Sequence, residues 1–339
     1  MAVSIGDVAT AAGVAPSTVS RALHGRPGVS EEVRTQIARV AADLGYTASR
    51  SAASLASGRT WTVGVIAPYV GRWFFGEVLD SAEEVLSAAG FDVLLYNVGS
   101  PAARKRFFER MPLRKRVDGV LSLLLPTEAE ALALRSLGVP LSLVVGGPRP
   151  GFTTVGIDDR RGAELAVRHL VNLGHRRIGM IGTTAAAPLN WTTPSERRAG
   201  YLQVLHEARI APDPRLDVDG RYTVKGGEQA MTALLATRQP PTAVFAQSDE
   251  MAMGALRALR LHRLRCPEDV SVVGFDDHEL AEVVGLTTVA QPVAKQGAAA
   301  ARLLLDQLAA PEPTAGGYVQ MPISLVLRES TAPPRPQPA

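Results

Sequence analysis

The chain of 339 residues is poor in most of the features that would force a special architecture. Its one cysteine, Cys266, leaves no internal disulfide framework and no all-cysteine zinc site, and fits a reducing compartment. No uninterrupted apolar run reaches the ~18 residues of a membrane span. The opening MAVSIGDVATAAGVAPST carries an acid at Asp7 and has no basic cluster ahead of an apolar run, so it does not read as a signal peptide. A cytoplasmic protein without a membrane partner is expected. The six histidines, His24, His169, His175, His206, His262 and His278, show no metal-ligand spacing. There is no GxSxG, no P-loop, and no GxGxxG opening a helix after a strand. The sequence therefore supports no metal, no cofactor and no enzyme. Charge of one sign is scarce too: 36 Lys+Arg against 33 Asp+Glu give only +3, too little to identify a nucleic-acid binder by bulk electrostatics.

What is present is an apolar fraction of 46%, enough for large cores, on a chain longer than one core usually supports. Residues 1–46 carry three short helical patterns and no strand. Ser4 with Asp7 reads as a helix start, Val8, Ala11 and Ala12 recur at helical spacing, and Gly13 ends the pattern. Pro16 opens a second helix with Val19, Ala22 and Leu23 inward, closed by Gly25. Ser30 opens a third with Val33, Ile37, Val40, Ala41 and Leu44, stopped by Gly45. Three helices with a tight glycine turn between the first two make a helix-turn-helix module. Residues 47–60 are small and polar, which composition alone reads as a flexible linker.

From Trp61 the texture changes. Apolar runs at 63–67, 93–96, 120–124, 178–181, 243–246 and 270–273 alternate with amphipathic helical segments, the pattern of parallel sheets covered on both faces. About 270 residues of it divide better into two doubly wound lobes than one, with a ligand cleft at the carboxyl ends of the strands. The proline-rich segment 331–339 is expected to be a disordered tail.

In a helix-turn-helix, the start of the second helix enters the major groove. Periodicity leaves Pro16, Ser17, Thr18, Ser20 and Arg21 outward; Arg21 can fork to guanine, Ser17 can bond base edges, and the Pro16 ring can meet a thymine methyl. Taken alone, a Ser/Thr-rich helix start is also an ordinary cap. The runs Ser4-Ile-Gly-Asp-Val-Ala9, Ser17-Thr-Val-Ser-Arg21 and Leu44-Gly-Tyr46 resemble the head of the lactose repressor and purine repressor (LacI/GalR) family. So, further on, do Leu173-Gly-His175, Arg197-Arg-Ala-Gly-Tyr201, Asp249-Glu-Met-Ala-Met-Gly254 and Asp269 to Asp276.

The resemblance covers roughly residues 4 to 329. It implies an α/β chain with a helix-turn-helix head over 1–46, a hinge helix over 47–60, and a periplasmic-binding-protein-like core over 61–330. The core's first lobe spans about 61–158 and 291–319, its second about 159–288 and 320–330. It implies a repressor that binds double-stranded, pseudo-palindromic operator DNA as a homodimer and answers to a small effector. It adds Ser4, His24, Arg50, Ala52 and Leu55 to the DNA contacts, Leu55 as a wedge in the minor groove. A seven-residue hinge helix is too short to persist alone in water, so it would form on binding.

For the effector, the resemblance carries over Arg197 as a clamp, Asp276 as acceptor for ligand hydroxyls, and Phe74, Phe75 and Tyr222 as aromatic contacts. Asp158, Trp191, Ser248, Asp249 and Gln291 complete the set. Val145 departs from it, standing where relatives commonly carry aspartate and so losing one acceptor. A sugar or sugar-like metabolite is the favoured effector class and a nucleobase the second. Effector identity, the sign of the response and the operator sequence are not legible. An enzyme, a transport solute-binding protein and a sugar sensor without DNA function are the rival readings.

Overall fold

The computed structural model of the chain describes residues 3–23, 27–46, 58–144, 146–183, 191–310 and 316–335. His24, Gly25, Arg50, Ala52, Leu55 and Val145 lie outside the described residues, as do residues 47–57 of the expected hinge helix, while 58–60 are described and are not helical. The chain forms two compact units, Met1–Thr60 and Trp61–Ala339.

In the first unit, α1 (Ile5–Ala12) begins with a capping box. The Ser4 hydroxyl accepts from the Asp7 N–H, and the Asp7 carboxylate accepts from the Ser4 N–H at 2.8 Å. Gly13, at φ 68, closes it with its N–H on the Ala9 and Thr10 carbonyls. The helices α2 (Pro16–Leu23) and α3 (Glu31–Asp43) follow. Val8, Val19 and Ile37 are fully buried between the three, and Ala9, Ala12, Ala22 and Ala41 let the helices approach. Arg34 of α3 donates 2.9 Å to the Ala22 carbonyl, satisfying an end group of α2 that the helix itself leaves open.

The second unit holds two sheets. Its strands are β1 (Thr62–Ala67), β2 (Asp92–Asn97), β3 (Gly119–Ser122), β4 (Leu141–Val144), β5 (Thr153–Gly156), β6 (Ile178–Gly182), β7 (Asp217–Asp219), β8 (Ala243–Ala246), β9 (Ser271–Asp276), β10 (Thr287–Ala290), β11 (Tyr318–Gln320) and β12 (Ser324–Val326). The first sheet has the order β11-β5-β4-β3-β1-β2, the second β12-β10-β9-β8-β6-β7. All neighbours are parallel except β12, an antiparallel edge on β10. In both sheets the chain adds one strand on one side and then reverses, beside β1 and beside β6, and ligands sit at the carboxyl ends of such switch points.

The helices are α4 (Trp73–Ala88), α5 (Pro101–Arg110), α6 (Glu128–Arg135), α7 (Asp159–Asn172), α8 (Thr193–Glu207), α9 (Val224–Leu235), α10 (Asp249–Leu261), α11 (Leu280–Val283) and α12 (Val293–Ala309). The chain passes between the sheets three times, from β5 to α7, from β10 to α12 and from β11 to β12. α12 returns to pack on α4 and under β3, β4 and β5 of the first sheet. Each lobe buries its own core, around Val65, Val78, Leu121 and Leu304 in lobe 1 and around Ala163, Met180, Phe245 and Phe275 in lobe 2. No helix among the described residues is long and apolar enough to cross a membrane.

The tail corrects an expectation. Residues 331–335 are not disordered: Thr331 bonds the His169 ring at 2.9 Å, the Ala332 carbonyl accepts from His175 at 2.9 Å, and Arg335 pairs with Asp269 at 2.6 Å. Proline forbids a helix but leaves carbonyls and an extended backbone that can dock on a neighbouring edge.

Candidate functional site

On the first unit, Pro16, Ser17 and Arg21 are exposed and Thr18 and Ser20 half-buried, on the face of α2 away from the buried Val19 and Ala22. Ala15 ahead of them has no side-chain oxygen to cap the helix, Pro16 has no N–H, and the Thr18 N–H donates 2.8 Å to the Ala15 carbonyl, so the Ser17 N–H is what this helix start offers a phosphate. The Arg21 guanidinium lies beside Gly28, whose φ of 95 is one that L side chains rarely adopt. This face can set backbone contacts and read base edges from one helix. Ser4 stands apart: its hydroxyl both accepts from the Asp7 N–H and donates to the Asp7 carboxylate, so the structure commits it to the α1 cap. The Ser4 N–H, and after it the Ser4 hydroxyl, hold the Asp7 carboxyl below its usual range.

Within the second unit, a cleft between the lobes holds about 720 Å³ of empty space out to its mouth. Its centre is Arg197 on α8, 4% exposed. The Arg197 Nε donates 2.8 Å to Asp159 Oδ1, and Nη1 donates to the Gln247 carbonyl and, at 3.5 Å, to Asp276 Oδ1. Below, the guanidinium lies 3.5 Å from the Phe275 ring centroid. Burial works against its charge, but Asp159 and Asp276 outweigh that and its pKa is raised. Gly200 makes the pairing possible, because a Cβ there would stand 2.3 Å from the Arg160 carbonyl and push α8 off α7.

Asp276 ends β9 on a backbone of φ 123, followed by Asp277 at φ 58, conformations an L-residue pays on the order of 1–3 kcal/mol each to hold. The turn puts Asp276 in the cleft, while Asp277 pairs with Arg328 at 2.8 Å. Gln291 donates 2.7 Å to Asp276 Oδ1 and accepts from Gln296 at 2.9 Å. Asp276 Oδ2 has no partner among the described residues. Burial pushes the Asp276 carboxyl up to about 7 in spite of Arg197. Tyr222 donates 2.8 Å to Gln247 Oε1, and its phenol is raised by burial.

The aromatic wall is built around Trp191, which stacks on Phe75 at 5.8 Å and 24° and meets Tyr69 and Tyr222 edge-on at 5.8 and 5.9 Å. Its Nε1 is buried with no hydrogen-bond partner among the described residues. Phe74 stands against Phe75 at 88°. Arg72 reaches across from lobe 1 to the Arg221 carbonyl at 3.0 Å and to the Tyr222 carbonyl, and Trp73 lies 4.6 Å from the His278 ring.

Of the expected ligand residues, the cleft brings together Phe74, Phe75, Trp191, Arg197, Tyr222, Ser248, Asp276 and Gln291. Two fall elsewhere. Asp158 is exposed, caps α7 by accepting from the Arg161 N–H at 2.8 Å, and lines a neighbouring depression with Arg149 and Tyr318. Asp249 is fully buried with its carboxylate turned to Thr288 and to the His278 N–H, so it lies beneath the cleft and not in its wall. Burial pushes it up to about 6. Sequence reasoning missed Arg72, Asp159, Thr193, Glu250 and Gln296, all in the wall. Asp159 had a signal, since two successive aspartates close β5.

The expected resemblance holds. Residues 4–49 match the family described as bacterial regulatory proteins, lacI family, and residues 167–331 the periplasmic binding protein-like domain. The chain is 34% identical to the HTH-type transcriptional repressor CytR of Escherichia coli (strain K12), over 97% of this chain and 96% of that protein. Among solved structures, the Lac repressor dimer bound to operator and the anti-inducer ONPF is 28% identical with a TM-score of 0.86, covering 98% of this chain and 100% of that one. The complex of transcriptional regulator CelR with cellobiose is 33% identical with a TM-score of 0.71, covering 97% and 99%. With head and core both matched along almost their full length, the chain belongs to the lacI family of bacterial regulatory proteins.

Proposed function

We propose that the protein is a ligand-responsive transcriptional repressor that binds a pseudo-palindromic operator as a homodimer and is released when a neutral, hydroxyl-rich small molecule enters the cleft. The observation that carries the ligand class is the state of Arg197. It is already matched by Asp159 and Asp276, and the charged wall as a whole sets Arg72 and Arg197 against Asp159, Glu250 and Asp276. Among the described residues no surplus cation waits for a phosphate or carboxylate, whereas Asp276 Oδ2 and the glutamines can accept from hydroxyls. The aromatic wall suits the C–H face of a sugar, and a flat nucleobase is the second reading on the same wall. The CelR–cellobiose neighbour points the same way.

Two-fold symmetry of the dimer would match two half-sites, each read by Pro16, Ser17 and Arg21 of one head. Closure of the lobes on a ligand would alter the hinge segments, residues 47–60, and so operator affinity. The coupling is reciprocal: a tenfold loss of operator affinity on effector binding means a tenfold loss of effector affinity on DNA, about 1.4 kcal/mol.

The test is a mobility shift on a palindromic site, with effectors taken from a thermal-shift panel of sugars, nucleosides and nucleobases. A salt-sensitive shift that a panel member abolishes is expected, with Arg21→Ala lowering discrimination at one base pair per half-site by about 1–3 kcal/mol. No salt-sensitive shift under any ligand condition overturns the repressor reading.

A further inference from the structure

At the opposite end of the lobe 2 sheet from the cleft, a second concavity opens, with about 1200 Å³ of empty space out to solvent. Arg176 and Arg177 enter it from the turn before β6, Arg238 and Gln239 from the turn before β8, and Arg335 from the docked tail. No carboxylate lines it among the described residues. Two of the arginines are held in place from outside the lining. Arg177 pairs with Asp213 at 3.1 Å and donates 2.5 Å to the Gln239 carbonyl, and Arg335 pairs with Asp269 at 2.6 Å. Among the described residues Arg176 has only a long bond of 3.4 Å to the Ala208 carbonyl. Arg238 has no ion pair among the described residues. Both are exposed.

The tail that supplies Arg335 is fastened by His175. A carbonyl can only accept, so the His175 Nε2 carries the proton donated to Ala332, and Nδ1 accepts from the Thr242 hydroxyl at 2.9 Å. Burial lowers the pKa of this ring, so it serves as a neutral brace at neutral pH.

Four guanidiniums face the concavity, and the two carboxylates behind them, Asp213 and Asp269, are shared with Arg215 and Arg265, so a local surplus of positive charge remains. The whole of residues 61–339 carries a surplus of only one, with 30 bases against 29 acids. Like charges gathered in a concavity repel one another more than on an open surface, and a bound anion relieves that. Guanidinium forks that enter from three sides match oxygens spread over linked phosphates better than a single small anion.

We propose that this concavity is a second ligand site, separate from the cleft, for a compact molecule carrying two or more linked phosphates. Its binding ties the tail to the turns before β6 and β8.

The test is calorimetric titration of the full-length protein with sodium tripolyphosphate at about 0.1 M salt, with orthophosphate as the comparison. Saturable binding that weakens steeply with salt is expected. Orthophosphate should bind about tenfold or more weakly. The double variant Arg176→Gln/Arg238→Gln, whose exposed positions should leave the unliganded melting temperature unchanged, should weaken tripolyphosphate binding by about tenfold or more. Arg335→Gln is a second, independent variant with the same expected direction. Unaltered affinity in both variants places the phosphates elsewhere, on the DNA-reading head for instance, and overturns the proposal. So does equal affinity for orthophosphate, or no saturable heat up to about 1 mM.

Discussion

Lobe 1 meets the cleft with Phe74 and Phe75 at the start of α4, the helix after β1, whereas lobe 2 meets it with Arg197 on α8, the helix after β6. The two positions are topologically equivalent, one at each switch point, yet their chemistries are opposite. The surroundings account for the difference. Behind Phe75 lies an apolar cluster with Val65, Val144 and Val293 and, among the described residues, no charged partner, so an aromatic ring is what that wall can bury. Behind Arg197 the ends of β5, β8 and β9 bring Asp159, the Gln247 carbonyl and Asp276 together, which is what a buried guanidinium requires. Lobe 1 thus supplies shape and lobe 2 supplies hydrogen-bond direction, and damage to the two sides should fail in different ways.

The largest expected effect is on the lobe 2 side. Arg197→Ala leaves Asp159 and Asp276 buried without their counter-charge, and should lower unfolding free energy by about 3–5 kcal/mol in urea titrations. Arg197→Met fills much of the same volume but restores no charge, so it should recover only the packing part of that loss, most clearly at acid pH where the carboxylates are protonated, while still binding operator and ignoring effector. A methionine variant as stable as the parent above pH 7 would mean that charge pairing does not organise the lobe 2 wall. A normal effector response in either would remove Arg197 from the ligand site.

How much of this was legible follows the same division. The alternation of apolar strands and helices was readable because strands covered on both faces leave unbroken apolar runs, as Val63 to Ala67 and Ala243 to Ala246 do. The three head helices were readable from Ser4, Gly13, Pro16 and Ser30, because caps act within a turn of chain. Arg197 and Asp276 were legible through resemblance. Asp159 was not, since choosing between two successive aspartates depends on which one caps α7; the cap falls on Asp158, and the next position turns inward to α8. Asp249 misled in the same way: Ser248 takes the cap of α10 and Asp249 is left facing Thr288. Gln296 sits one turn into α12 and enters the wall only because the chain crosses back to lobe 1, a long-range fact with no local signal.

The second effect separates the lobes by pH. Burial pushes Asp249 up to about 6 and Asp276 up to about 7, both above the value of the unfolded chain. Between about pH 4 and 7 the native protein therefore holds protons that the unfolded chain has released. The stability these groups contribute is fully present at the acid end of that window and is lost as pH rises through 6 and 7. Asp276→Asn should flatten the upper part of that decline in thermal melts, and Phe75→Leu should lower the whole curve by about 1 kcal/mol without changing its slope. Half-buried carboxylates such as Asp213 and Asp269, which arginine and backbone bonds hold below their usual range, act below pH 4 with the opposite sign. A slope unchanged by Asp276→Asn would show that this carboxylate is ionised throughout.

The smallest effect tests the residue that crosses the division. Trp191 belongs to the β6–α8 connection of lobe 2 but stacks on Phe75 of lobe 1, and its indole N–H is buried with no partner among the described residues. Trp191→Phe removes a donor that costs free energy to bury unpaired and also some packed volume. These act in opposite directions and should leave stability within about 1 kcal/mol of the parent. If the N–H instead waits for an acceptor on the ligand, affinity for the sugar that raises the melting temperature most should fall about five- to tenfold. Trp191→Leu loses the stacking as well and should lower stability and affinity together. Unaltered affinity in the phenylalanine variant would make Trp191 part of the lobe 1 surface alone, and the hydrogen bonding of the cleft would then come from lobe 2 and the α12 crossover without it.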